Sequence, residues 1–373
     1  MKLLFCDNRL GGLLGFRIDV IRHFIQEGHE VVLVCPQPSS EWDKIGQTDL
    51  DNVRIIYVPM EANGQNPIKD LRLMMSYYRL FRKERPDRII TYTIKPNIYA
   101  GLAARCLHIP VISMIAGLGY AFEGNGLLKQ MLRTLYRVGL KKAKHVLVLN
   151  QSNYDIVLAH HLTTKDKLIL LSGGEGVNLD QYPVSEADFT DGTIFLVISR
   201  VLYDKGYQEF VDAIKQMPKD NNVRFQWLGP TAFDRPFGVP QNVFESDCQK
   251  GDFEYLGVTN DVKQYMGKEN VVIVLPSYME GMSRSLMEAL AMGRPIITTD
   301  IPGCREMVET EKNGFLVPPK DSTVLAEAMK RFLELSEDQK RAMAQYSHKI
   351  ALQRFDVRKV MEVYDRICCQ NDK

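Results

Sequence analysis

The stretch Leu275-Pro-Ser-Tyr-Met-Glu-Gly-Met-Ser-Arg-Ser-Leu-Met-Glu-Ala-Leu-Ala-Met-Gly-Arg-Pro-Ile-Ile-Thr-Thr-Asp300 decides how the chain is read. The apolar run Val271–Leu275 reads as a buried strand, and a helix opens near Ser283. A second run, Pro295–Asp300, completes a strand–helix–strand unit of the parallel-sheet kind. A helix that begins just after a strand end offers free backbone N–H groups and a positive dipole end to an anion. Gly281 lets a ligand approach the backbone there, and Glu280 and Glu288, eight residues apart, bracket the turn. Glu288 falls more than one turn into the helix, where its carboxylate can accept hydrogen bonds from two neighbouring hydroxyls.

Outward from this stretch, short β-branched runs alternate with helical patterns along the whole chain. Strands are expected at Lys2–Asp7, Glu30–Cys35, Val53–Pro59, Asp87–Thr93, Pro110–Gly117 and His145–Asn150. A second series runs through Ile194–Arg200, Arg224–Gly229, Phe253–Gly257, Val271–Ser277, Pro295–Asp300 and Gly314–Val317. The polar, turn-rich Tyr182–Gly192 reads as the linker between them. The pattern predicts an α/β protein of two doubly wound, Rossmann-like domains, residues 1–186 and 187–355, facing a cleft. A last helix, about 356–373, is expected to pack back on the first domain.

Composition excludes several classes. The 373 residues are 45% hydrophobic and 25% charged, enough for two ordinary cores. Seven cysteines without a CxxC pair argue against a disulfide framework or zinc site and for a reducing compartment. The opening apolar run is too short for a signal peptide, and no run of eighteen apolar residues occurs, so a cytoplasmic protein is expected. The net charge of +1 hides an uneven spread, with 15 basic against 4 acidic residues between positions 67 and 145. Residues 126–145 form a basic amphipathic helix pattern, with Leu127, Leu128, Met131, Leu132, Leu135 and Tyr136 in its apolar stripe. Such a helix suits an anionic membrane surface, or simply packs its stripe on the sheet. The basic stretch lacks interleaved aromatics or a nucleic-acid motif, so no nucleic-acid partner is expected. Asp49-Leu-Asp51 reads as a turn rather than a metal site.

The segment around Glu280 and Glu288 resembles the E-x7-E region of the family 4 retaining glycosyltransferases, which have the GT-B fold. The likeness extends to Ile301-Pro-Gly-Cys-Arg-Glu306, Asn313-Gly-Phe-Leu-Val-Pro-Pro319 and, upstream, Ile198-Ser-Arg-Val-Leu-Tyr-Asp-Lys-Gly206. The resemblance implies that Arg200 and Lys205 hold the diphosphate of a nucleotide sugar and stabilise the charge that grows on the leaving group. It places Glu288 on the ribose, Glu280 on the donor sugar with Arg200 and Lys205 as the catalytic set, and Gly281, Met282 and Ser283 against the diphosphate and sugar. Val258 lies in the loop expected against the base, and Gly12, in Leu10–Arg17, in a loop near the diphosphate. No cofactor or metal is implied.

Thr93–Gly101 and Ala116–Phe122 resemble the branch that builds bacterial surface polysaccharides on polyprenyl diphosphates, some of whose members serve protein glycosylation. That likeness puts Lys95, Asn97, Gly117 and Tyr120 on the acceptor side. It implies a lipid-linked saccharide acceptor, a UDP-sugar by analogy, and a peripheral place on the inner face of the cytoplasmic membrane. The chain departs from the family at Ala116, where many members carry histidine, and at Ser172-Gly-Gly-Glu-Gly-Val-Asn178, where Glu175 touches either the donor or a turn. Two alternatives are a UDP-sugar 2-epimerase, which shares the architecture, and a non-catalytic membrane-associated binding module.

Overall fold

The computed structural model describes residues 1–37, 53–61, 66–118, 122 and 126–369. It divides into two compact units, residues 1–175 with 357–373, and residues 176–356.

The first unit carries seven strands: β1 (Lys2–Cys6), β2 (Glu30–Cys35), β3 (Arg54–Tyr57), β4 (Arg88–Tyr92), β5 (Val111–Ile115), β6 (His145–Val148) and β7 (Leu168–Leu170). All pair in parallel, in the order β3-β2-β1-β4-β5-β6-β7, with Leu4 beside Val32 on one side and Ile89 on the other. Leu3, Leu4 and Phe5 are wholly buried in succession, because helices cover both faces of the sheet. The helix Val357–Cys369 belongs to this unit, where Tyr364 meets Tyr92 hydroxyl to hydroxyl at 3.0 Å and Asp365 meets His23 at 2.8 Å. Among the described strands, β7 is the one that the sequence reading lacks.

The second unit holds β8 (Thr193–Ile198), β9 (Val223–Leu228), β10 (Glu254–Tyr255), β11 (Val271–Leu275), β12 (Ile296–Thr299) and β13 (Gly314–Val317). They too are parallel, in the order β10-β9-β8-β11-β12-β13. In both sheets the strand order reverses beside the first strand, the switch point of a doubly wound fold.

The expected linker is corrected. Tyr182–Gly192 lies inside the second unit, and the units divide at 175/176 and 356/357. Phe189 enters the second unit's core, edge-on to Phe332, and the segment's backbone is held by Arg294. That side chain is fully buried and bonds no carboxylate. Instead it donates to the carbonyls of Lys268 at 2.8 Å, Glu269 at 3.0 Å and Glu186 at 3.1 Å, and to the Ser185 hydroxyl at 2.7 Å. Burial pulls its pKa down to about 10, so it remains a cation at neutral pH. Arg294→Met should therefore leave several buried carbonyls unpaired and lower stability by about 3 kcal/mol, at ~1–3 kcal/mol for each lost partner. Denaturant unfolding followed by tryptophan fluorescence checks this, since Trp227 lies in the same unit.

Candidate active site

At the second unit's switch point, β8 and β11 lie side by side, where ligands of open parallel sheets gather beyond the carboxyl ends. Past β8 the chain runs through Arg200 into the short 3-10 turn Tyr203–Lys205. Past β11 it runs through Pro276–Ser283 into the helix Arg284–Ala291. Several bonds lock these segments together. The Tyr278 N–H donates to the Asp204 carbonyl at 2.8 Å, the Ser277 hydroxyl to the same carbonyl at 3.2 Å, and the Tyr278 hydroxyl pairs with Glu209.

Two glycines make the approach possible. Gly206 has φ +78°, and a Cβ on it would lie 2.2 Å from the Pro276 carbonyl oxygen. Gly303 has φ +86°, and its Cβ would fall within 2.8 Å of the carbonyl oxygens of Glu280 and Gly281. No side chain fits at either place.

Within this frame Lys205 Nζ stands 2.6 Å from Glu280 Oε1, with both side chains largely buried. Half-buried Asp204 is adjacent; burial raises its pKa, Lys205 and Arg200 oppose that, and the Glu280 charge adds to it. Arg200 itself is exposed. Glu288 is buried, and its Oε1 accepts from the Tyr182 hydroxyl at 2.8 Å and from Arg284 Nε at 2.7 Å. Burial works against the Arg284 charge, but Glu288 and Tyr182 outweigh it and the pKa rises; burial and the Glu288 charge together push the Tyr182 phenol up. Both bonds fall on Oε1, and among the described residues no hydrogen bond reaches Oε2.

Met282 and Ser283 are buried at the helix start, and Gly281 is partly exposed. Ser283 takes the N-cap backbone position without capping by its side chain; its hydroxyl lies 3.3 Å from that of Ser285. Val258 is exposed just past β10, next to Gly257, whose carbonyl accepts from the Gly229 N–H at 2.8 Å.

In the first unit the outcomes differ. Leu10–Phe16 is a short helix, not a loop, and Gly12 is buried in it with its carbonyl accepting from Arg17 Nη1 at 2.9 Å. Arg17 is itself buried, 3.4 Å from Asp7 Oδ2 and 2.7 Å from Glu175 Oε1, with its guanidinium 4.6 Å over the Tyr92 ring. Glu175 is thus an internal ion-pair partner. Burial raises the Asp7 pKa, with Arg17 opposing. Lys95 pairs with Asp70 at 2.6 Å. Asn97 is fully buried and satisfied internally, accepting from the Thr91 hydroxyl at 2.7 Å and donating to the Met114 carbonyl at 2.8 Å. A buried amide needs such partners, so Asn97 faces no ligand. Gly117 is partly exposed just after β5, while Tyr120 and the Asp49-Leu-Asp51 turn lie outside the described residues. Among the described residues no three His, Cys, Asp or Glu side chains are placed to hold a metal.

Sequence reading missed Tyr182, Asp204 and Arg284. The spacing of Arg284 to Glu288, one turn apart on a helix, was a usable signal. Tyr182 had none, because it sits in a segment read as a linker.

Residues 12–174 match the model of Glycosyltransferase Family 4, and residues 192–335 that of Glycosyl transferases group 1. The chain belongs to the family 4 glycosyltransferases. As a glycosyltransferase with both halves matched to transferase models, it is not read as an epimerase. Over 98% of its length it is 24% identical to the N,N'-diacetylbacillosaminyl-diphospho-undecaprenol alpha-1,3-N-acetylgalactosaminyltransferase of Campylobacter jejuni, covering 99% of that protein. It is 23% identical to the UDP-Gal:alpha-D-GlcNAc-diphosphoundecaprenol alpha-1,3-galactosyltransferase of Escherichia coli, covering 82% of this chain and 80% of that one. In fold it is similar to Anabaena HepE, solved in complex with UDP and glucose, at TM-score 0.81 and 18% identity over the full length of both chains. The fold of this glycosyltransferase is GT-B.

Arg17→Met should cost about 3–5 kcal/mol, because it strands two buried carboxylates. Adding Glu175→Gln should recover part of that loss. Chemical unfolding of the two variants checks both statements.

Proposed function

We propose that the protein moves a hexose or N-acetylhexosamine from a UDP-sugar to a polyprenyl-diphosphate-linked saccharide, with retention at the anomeric carbon and without a metal ion. The observation that carries this reading is the Lys205–Glu280 pair at the mouth of the helix Arg284–Ala291, with Glu288 fixed inside it. The names of the two relatives support the acceptor class, and the UDP named for HepE supports the base. The process served is bacterial surface-glycan or glycoprotein assembly, at the inner face of the cytoplasmic membrane.

In this scheme the donor site lies in the second unit and the acceptor site in the first. Arg200, Lys205 and the N–H groups at Gly281–Ser283 take the diphosphate; their positive charge does what a divalent cation does elsewhere. Glu288 Oε2 accepts from a ribose hydroxyl, and Glu280 accepts from hydroxyls of the donor sugar. Val258 lies against the base; Gly12, buried with its N–H bonded to the Arg9 carbonyl and its carbonyl to Arg17, takes no part. On the acceptor side, Lys95 and Gly117 border the saccharide, with Tyr120 beyond them in the chain. The acceptor hydroxyl attacks the anomeric carbon on the face from which the diphosphate leaves. The bond from that carbon to the phosphate oxygen breaks as the new glycosidic bond forms, and the departing phosphate oxygen takes the hydroxyl proton.

The test incubates the purified chain with UDP-sugars and a synthetic prenyl-diphosphate saccharide, and reads the product anomer by NMR. An α-linked product from an α-configured donor is expected; a β-linked one sinks the retaining reading, and no transfer with any donor favours a non-catalytic module. Excess EDTA should change the rate less than about twofold, well inside the range of one lost electrostatic contact, whereas Lys205→Ala should lower kcat about 100-fold or more. A rate abolished by EDTA and restored by a divalent cation would contradict the metal-free scheme.

A further inference from the structure

The basic helix, for which the sequence leaves a membrane-facing and a core-facing stripe both open, is mostly engaged inside the first unit. In Leu127–Leu140, Tyr136 and Leu140 are buried, and Leu132 and Leu135 pack on the core behind them. Arg137 donates to the carbonyls of His160 and His161, and Arg133 to that of Phe122. Of the apolar stripe read from the sequence, Leu132, Leu135 and Tyr136 face the core, while Met131 is 52% exposed.

A different helix, Pro67–Glu84, carries what that one lacks. Leu73, Tyr77 and Phe81 anchor it in the core, yet Ile68, Leu71 and Met75 are 65%, 57% and 40% exposed. Arg72, Arg79, Arg82 and Lys83 are exposed as well. At 3.6 residues per turn, these seven side chains fall within an arc of about 120°. Ile68, Leu71 and Met75 lie toward the first half of that face with Arg72 between them, and Arg79, Arg82 and Lys83 toward the second. It holds no acid, because Asp70 turns to Lys95 and Tyr99, and Glu84 is buried against Lys2 and Arg54. Glu61, from outside the helix, pairs with Lys69 off this face.

We infer that this face of Pro67–Glu84 docks the enzyme on an anionic lipid bilayer. Three large apolar side chains at helical spacing suit insertion at the headgroup boundary, and neighbouring guanidinium groups suit phosphate headgroups. A polyanion in water would meet the cations but leave Ile68, Leu71 and Met75 uncovered, so the combination favours the bilayer. The inference names the surface for the peripheral location proposed above, and rests on that location rather than on the chemistry of transfer.

Vesicle co-sedimentation of the full chain tests it, using phosphatidylcholine with and without phosphatidylglycerol, at low and high salt. Wild-type protein should pellet with the anionic vesicles and be released by salt. Arg79→Glu with Arg82→Glu should weaken binding about tenfold or more, each lost cation being worth about fivefold. Leu71→Ser with Met75→Ser should weaken it comparably at high and low salt. Lys141→Glu with Lys142→Glu, just past the end of the other helix, should change it little. All are surface changes, and circular dichroism with thermal melting confirms the fold of each. Wild-type protein that stays in the supernatant, pellets only when a free polyanion is added, or loses its partition through Lys141 and Lys142 instead overturns the inference, as does an apolar-face-dependent dimer in ultracentrifugation with no vesicle binding. A short-chain, water-soluble acceptor separates this inference from the proposed function. The helix variants should keep wild-type turnover on it and lose turnover only on acceptor embedded in vesicles. Vesicle binding by a protein that transfers to neither acceptor would refute the function and leave the docking face standing.

Discussion

Lys205 and Glu280 come from loops after two different strands, yet meet at 2.6 Å away from bulk water. A flexible four-carbon side chain gives up about 2 kcal/mol of rotamer freedom to hold such a position. The desolvation of both charges must be offset as well, which only good geometry achieves. Much of the second unit's local structure supplies that geometry. Gly206 and Gly303 let the backbones close in, and the Asp204 carbonyl takes two bonds from the loop that carries Glu280. The cation is thereby fixed beside a helix start, and under the proposed function it meets the leaving diphosphate already in place.

Three interior cations show how differently the fold treats such groups. Arg17 has two carboxylates, a carbonyl and an aromatic face around it. Arg294 has carbonyls and a hydroxyl, and serves the backbone of the segment that follows the crossover between units. Both are closed arrangements in which no polar partner is exchangeable without unfolding something. Lys205 shares one carboxylate at the edge of a loop, and under the proposed function an incoming diphosphate competes for it. This contrast, rather than residue type, singles out Lys205 as the candidate functional cation. Glu288 follows the same rule among the acids: Oε1 is held by Tyr182 and Arg284, and Oε2 is the oxygen proposed for the ribose.

The fold was legible because its signal is repetitive. Parallel strands, most of them alternating with helices, leave apolar runs that survive errors of a residue or two at each end, and among the described strands only β7 went unread. The donor-side residues were legible for another reason: strand end, glycine and helix start occupy consecutive positions, so Glu280–Glu288 is a local motif. Arg17 with Glu175 and Tyr182 with Glu288 are contacts between residues more than a hundred positions apart, and nothing in their neighbours announces them. Asn97 misled because polar residues just after a strand are usually taken for ligands, while here the amide is needed to bond a buried carbonyl and hydroxyl. The basic helix left two readings open for a similar reason. Its periodicity was real, but a stripe facing the core and a stripe facing a bilayer have the same sequence pattern.

The account stands or falls on the donor site of the second unit, and calorimetric titration of UDP tests it most directly. Glu288→Gln keeps the side chain's shape and one acceptor oxygen for Tyr182 and Arg284, but replaces Oε2, the oxygen proposed to take a ribose hydroxyl. UDP should bind the wild-type chain, and bind the variant at least about tenfold more weakly, the equivalent of about 1.4 kcal/mol. UDP lacking the ribose hydroxyls should bind both proteins alike. Equal affinity of the two proteins for UDP, or no binding by the wild-type chain, would contradict it.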